Sequence, residues 1–151
     1  KTVVTSASGH PLDRTYYQTI KGMVTPIDIL EPGGILLIAA TCSEGFGSEE
    51  FRAAQDKLVA LGPSAFLDTL TAKRFAEVDE WQTEMQLKPM RLGKICLYTD
   101  GLDADERLAT GVDIVEDLDA AISDAIATSG DPAVAIIPEG PYVVPVAAEM
   151  L

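Results

Sequence analysis

Histidine is almost missing from this chain, and that shortage excludes whole classes of chemistry. A single His10 precedes Pro11 in a loop, with no second histidine and no cysteine or carboxylate at ligand spacing, so the sequence predicts no metal site of its own. Cysteine is nearly as scarce. Cys42 and Cys96 sit in or just after apolar runs, where a buried free thiol is the expected state rather than a disulfide or a metal ligand. Positive charge is in short supply too: 11 basic against 24 acidic residues leave a formal charge of -13. A surface of that sign repels phosphate backbones and anionic membrane faces, so neither nucleic acid nor membrane is an expected partner. No stretch approaches the roughly 18 consecutive apolar residues of a membrane helix, and the opening KTVVTSASGH lacks the parts of a signal peptide; both point to a cytoplasmic protein. Nucleotide fingerprints are absent as well. SASGHP after the first strand is not Gly-x-Gly-x-x-Gly, which speaks against a nucleotide-dependent dehydrogenase, and CSEGFGSEE lacks the Gly-Lys-Ser/Thr ending of a P-loop. Ser6 or Ser8 could be joined with His10 and Asp13 as a triad only by adjacency, without a nucleophile elbow.

What is present is a chain of 151 residues with 47% hydrophobic content, enough for one domain with a proper core. It begins at a lysine already inside a strand pattern, as a piece of a longer protein would. Four short apolar runs, KTVVTS at 1–6, GILLIAATC at 34–42, KICLYT at 94–99 and AVAIIP at 133–138, read as buried parallel strands, and VDIV at 112–115 as a short edge strand. Helices fall between them: 16–24 capped by Asp13, a turn opened by Thr25-Pro26 and ended by Pro32-Gly33-Gly34, and a helix from Ser48 to about Leu61, where Gly62-Pro63 breaks it. Ser64 is expected to cap the next, through Ala72; Asp79 to Lys88 forms another, stopping before Pro89; and DLDAAISDAIATSG forms the last. Strands alternating with helices predict a three-layer α/β/α sandwich, a Rossmann-like, mostly parallel sheet of about four or five strands.

In such sheets ligands bind beyond the carboxyl ends of the strands, here SASGHPLD, CSEGFGSEE, YTDGLD and PEGP, all small, polar or glycine-rich. CSEGFGSEE is equally readable as an anion-binding loop and as a tight turn that needs positive φ at glycine. On the opening helix, Tyr17 and Lys21 are four apart and share a face, with Gln18 about 100° around from Tyr17. An ammonium, an amide and a hydroxyl so placed suit a carboxylate. Periodicity alone favours the plainer reading, in which Tyr17 packs and Lys21 is solvated surface. Trp81, the single tryptophan, reads on its own as a core or interface aromatic.

Taken together, HPLDRTYYQTIKGM, EPGGILLIAATCSEGFGSEEF and DEWQTEMQ resemble, in order and over nearly the whole chain, the C-terminal domain of the nickel-pincer-nucleotide-dependent lactate racemase family. The resemblance implies a two-domain 2-hydroxyacid racemase or epimerase. A histidine would remove the hydroxyl proton while hydride passes from the α-carbon to the nickel pincer nucleotide, and return to the opposite face of the 2-oxo acid inverts the centre. The catalytic histidines, the nickel ligand and the cofactor-bound lysine belong, by the same resemblance, to an N-terminal domain outside this chain. No catalytic, metal or cofactor-binding residue is therefore assigned here, and this chain alone is expected to be inactive. What carries over is the other wall of the cleft: Gln18 and Lys21 as the substrate-contacting pair, Tyr17 beside them, and Trp81 closing the pocket. His10 departs from the pattern, standing where an aromatic such as tyrosine is common. The competing reading is a non-catalytic α/β ligand-binding or oligomerisation module, since fold alone does not fix function.

Overall fold

The computed structural model describes residues 1–146. In chain order it runs β1 (Thr2–Ser6), α1 (Tyr16–Val24), a 3-10 turn (Thr25–Asp28), β2 (Ile35–Ala39), α2 (Glu49–Leu61), α3 (Pro63–Ala72), α4 (Glu80–Leu92), β3 (Lys94–Tyr98), α5 (Ala104–Ala109), β4 (Asp113–Val115), α6 (Leu118–Ser129), β5 (Val134–Ile137) and a second 3-10 turn (Gly140–Tyr142). The five strands form one parallel sheet in the order β4-β3-β2-β1-β5.

Alternation along the strands divides the core in two. Val3, Leu36, Ile38, Ile95, Leu97 and Ile137 face α1 and α2, where Tyr16, Ile20, Met23 and Phe51 close over them. Leu37 and Cys96 face the other way and are covered by Ala125, Leu118, Ala121 and Ile122 of α6. Helices on both faces make the three-layer α/β/α sandwich. Both cysteines are buried and free. The strand at 133–138 departs from its predicted burial: β5 is an edge strand, and Ile136 on the face of α6 is 70% exposed because that single helix lies over β1 and β2 and stops short of it.

Three helix boundaries also differ from the sequence reading, each for a local reason. Thr15, not Asp13, caps α1 by accepting the Gln18 N–H; Asp13 is buried and its carboxylate takes the Thr41 N–H at 3.3 Å, tying the loop after β1 to that after β2. Gly62 rather than Ser64 holds the N-cap position of α3, because Pro63 enters the helix at its first turn. α4 continues through Pro89 to Leu92. The ring forfeits one helical bond in the last turn, but Leu87 packs with Leu58 and Phe66, Pro89 is buried, and Met90 fills the space between two core clusters.

The fold is pinned by a buried polar knot. The Tyr16 hydroxyl shares its single proton between Gln86 Oε1 at 2.9 Å and the Thr110 carbonyl at 3.0 Å, while Gln55 Nε2 donates to the same Gln86 oxygen and Gln86 Nε2 to the Thr110 carbonyl. Burial holds the Tyr16 phenol well above its ordinary pKa, so it stays a donor. Tyr16→Phe is expected to cost only about 1 kcal/mol in urea unfolding, since Gln86 and Thr110 each keep another partner; a loss above about 3 kcal/mol would show that the hydroxyl holds more than this knot.

Candidate substrate site

The strand order reverses at β1: the chain steps from β1 through β2 and β3 to β4, then returns by α6 to place β5 on the other side of β1. The crevice beyond the carboxyl ends of β1 and β5 is therefore the expected ligand position in a sheet of this kind. α1 crosses it. Gly22 lies so close to the end of β1 that a Cβ would sit 3.0 Å from the Ser6 carbonyl oxygen, and the Thr25 hydroxyl donates to the Gly140 carbonyl at 2.8 Å. Ser6 Oγ donates in turn to the Pro138 carbonyl, joining the tips of β1 and β5. This places the backbone of Lys21, the residue before Gly22, beside the end of β1.

The loop after β2 sets where α1 begins. Its Gly45 and Phe46 carbonyls accept the Tyr16 and Tyr17 N–H groups, two of the donors a helix start leaves without partners, each at 3.0 Å. Gly45 and Gly47 hold positive φ, so the tight-turn reading of CSEGFG describes its backbone. At Gly47 a Cβ would come within 2.9 Å of Tyr17 Cβ, which is why the loop can pass so close to the helix. The Phe46 N–H is taken by the Glu106 carboxylate at 3.1 Å, so that donor of the loop is satisfied within the fold.

Lys21 is exposed, and its Nζ donates to Gln18 Oε1 at 2.6 Å. Eight ion pairs occur among the described residues, and Lys21 is in none of them. In a chain of charge -13 that is an unneutralised cation, with protons on Nζ left to donate. Because Gln18 presents its carbonyl oxygen to Lys21, its amide N–H groups are the ones available to a ligand. One helical turn back, Tyr17 meets Trp81 edge to face, ring centroids 6.1 Å apart. Tyr17 also stands edge to face on Phe51 at 5.2 Å, and Phe51 stacks on Phe46, which packs against Tyr16. A continuous line of rings thus runs from the core to Trp81, which is 48% exposed and so is not a core tryptophan.

The four residues singled out from the sequence thus form two touching pairs on one stretch of α1 and the start of α4. Three supports have no obvious sequence signal. Gln82, buried, donates from Nε2 to the Tyr17 carbonyl at 2.6 Å; the Tyr17 hydroxyl donates to Asp79 at 3.3 Å; and Phe51 carries the underside of the Tyr17 ring. Burial and the Asp79 carboxylate raise the Tyr17 pKa, so its proton is retained and directed at Asp79 rather than at a ligand. Thr15, Tyr17, Gly47, Ser48 and Asp79 line an open cavity of about 350 Å³. His10 is an exposed loop residue.

The donor set does not fit a nickel centre. Cys42 and Cys96 are buried with thiol pKa values pushed up by burial, and no group of three or more His, Cys, Asp or Glu side chains converges among the described residues. Nor is any described helix long and apolar enough to cross a membrane.

The fold is that of a parallel α/β domain in which, among the described residues, Lys21 has no carboxylate partner and pairs with the Gln18 amide. Residues 1–145 match the family model for the lactate racemase C-terminal domain, and the chain belongs to that family. Lactate racemase of Thermoanaerobacterium thermosaccharolyticum is 26% identical over 149 residues, covering 94% of this chain and 34% of that protein. Lactate racemase of Lactiplantibacillus plantarum is 26% identical over 140 residues, covering 91% and 32%. The structure of the lactate racemase apoprotein from T. thermosaccharolyticum superposes with a TM-score of 0.81 at 25% identity, over 97% of this chain and 34% of that one. The chain thus spans about a third of the length of the relatives it matches.

Proposed function

We propose that this chain is the C-terminal, substrate-holding domain of a 2-hydroxyacid racemase or epimerase, its cleft completed by an N-terminal domain of the same protein. The observation that carries the reading is Lys21: an exposed ammonium with no carboxylate partner among the described residues, its backbone beside the end of β1 and Gln18 bonded to it. A substrate carboxylate receives charge from Lys21 and amide N–H donors from Gln18, while Tyr17 and Trp81 form the adjoining wall. Racemisation requires the α-carbon to lose and regain hydrogen on opposite faces, so the carboxylate end must stay fixed while the centre becomes planar, and this chain supplies that anchor. The hydride acceptor implied by the family resemblance, a nickel pincer nucleotide, and the histidines that move protons belong to the rest of the polypeptide.

The test is chiral analysis of lactate and other 2-hydroxyacids incubated with the full-length protein carrying the nickel cofactor. Either enantiomer is expected to drift to a mixture, and the 151-residue chain alone is expected to do nothing. Enantiomers left intact by the loaded full-length protein across the series would favour the non-catalytic module.

A further inference from the structure

Asp79 gives up the usual work of an acid at a helix start. It occupies the N-cap position of α4, yet its side chain accepts no backbone N–H there, forgoing a cap bond of about 1 kcal/mol. Its backbone is left-handed, at φ 59°, a conformation that costs an L-residue roughly 1–2 kcal/mol. Both losses turn the carboxylate away from its own helix: Oδ1 accepts from the Tyr17 hydroxyl at 3.3 Å and Oδ2 from the Ser48 hydroxyl at 2.6 Å. Ser48 is itself the cap of α2, its Oγ also accepting the Phe51 N–H at 3.1 Å. One carboxylate therefore joins the starts of α2 and α4 to the face of α1.

Trp81 stands two residues beyond Asp79 and one before Gln82, and both neighbours hold Tyr17, one through its hydroxyl and the other through its carbonyl. The indole is bracketed on both sides by bonds to the residue whose ring it touches. We propose that Asp79 is a positioning residue for the substrate pocket, clamping Tyr17 and so fixing Trp81 as the pocket wall. This rests on the reading of Tyr17 and Trp81 as that wall. It makes the Tyr17 hydroxyl an internal strut and leaves the substrate carboxylate to Lys21 and Gln18.

Trp81 is the only tryptophan of the 151 residues, so in this chain its emission reports on the pocket wall alone. Glycine takes the left-handed backbone without cost and is tolerated at a helix N-cap, so Asp79→Gly removes the carboxylate without adding strain, whereas asparagine would keep an acceptor oxygen for Tyr17. Asp79→Gly and Tyr17→Phe are each expected to raise acrylamide quenching of Trp81 roughly twofold, and the double variant no further, because both cut the same bond. In the full-length protein Asp79→Gly should raise KM about fivefold with kcat changed less than about twofold, the pattern of a displaced wall rather than lost chemistry. Wild-type quenching in Asp79→Gly, or additive effects in the double variant, would overturn the clamp. Should Asp79→Gly fail to fold, Tyr17→Phe cuts the same bond from the other end, and wild-type quenching there has the same meaning. Altered quenching with an unchanged KM would leave the hydrogen bond in place but remove Trp81 from the pocket, and the positioning role would fall with the functional reading.

Discussion

Lys21→Ala in the full-length protein is expected to lower kcat/KM for a 2-hydroxyacid roughly 10- to 150-fold. A hydrogen bond to a charged group contributes about 1.5–3 kcal/mol, and here the lost group is also a cation with no carboxylate partner among the described residues. Screening does not weaken the estimate much, because a carboxylate in contact with Nζ lies well inside the Debye length of about 8 Å at physiological salt. Stability should scarcely move, since Lys21 is exposed and its one side-chain bond is to Gln18, so a change within about 0.5 kcal/mol is expected. The combination is diagnostic: a folded protein with a large kinetic defect. Lys21→Arg should recover part of the activity, because it restores charge while presenting a broader, planar group. Wild-type kinetics in Lys21→Ala would return that side chain to ordinary solvated surface.

Phe51→Ala is expected to cost about 3–5 kcal/mol, the range for deleting a buried aromatic. Phe51 is fully buried at the centre of the ring cluster, within 6.1 Å of Tyr16 and 5.2 Å of both Phe46 and Tyr17 by ring centroids. In a domain of this size each kcal/mol moves the melting temperature by about 2–4 °C, so a fall of roughly 10 °C should appear in a thermal scan. The defect should also reach the site, because the cavity opens directly beneath Tyr17. Phe51→Leu, which fills most of the volume, should recover much of the melting temperature. A loss below about 1 kcal/mol in Phe51→Ala would mean that the rings lean on one another without supporting the fold.

The strands were legible because burial on both faces leaves little freedom in composition: ILLIA and KICLY must be apolar throughout to lie between two helix layers. β5 carries the same composition on an exposed edge, and nothing local distinguishes Ile136 from Ile38. α5 was not legible. Its six residues ADERLA bury only Ala109, so no apolar stripe marks it, and it is held by the capping box of Asp103 and Glu106. Pro89 misled because the rule against proline is local, whereas the packing of Leu87 and Met90 is not.

The candidate site shows the same division. Tyr17, Gln18 and Lys21 are singled out by helical spacing and family resemblance together, because three polar groups on nine residues of helix are visible in one dimension. Trp81 came from the resemblance alone. Asp79, Gln82 and Phe51 stayed hidden, since an acid at a helix start, a glutamine within a helix and a phenylalanine after a serine cap all have commonplace explanations. Their roles arise only when α4 and α2 are brought against α1, Asp79 lying 62 and Gln82 65 residues from Tyr17 in sequence.

The central claim is that the Lys21 ammonium holds the substrate's carboxylate, and the most direct measurement compares a 2-hydroxyacid with its neutral amide in full-length wild-type and Lys21→Ala enzyme. The wild type should favour the acid over the amide by about 100-fold in kcat/KM, and Lys21→Ala should bring the two within a few-fold by losing only the acid's advantage. If the variant keeps the full preference for the acid, the carboxylate is held elsewhere and the account is wrong.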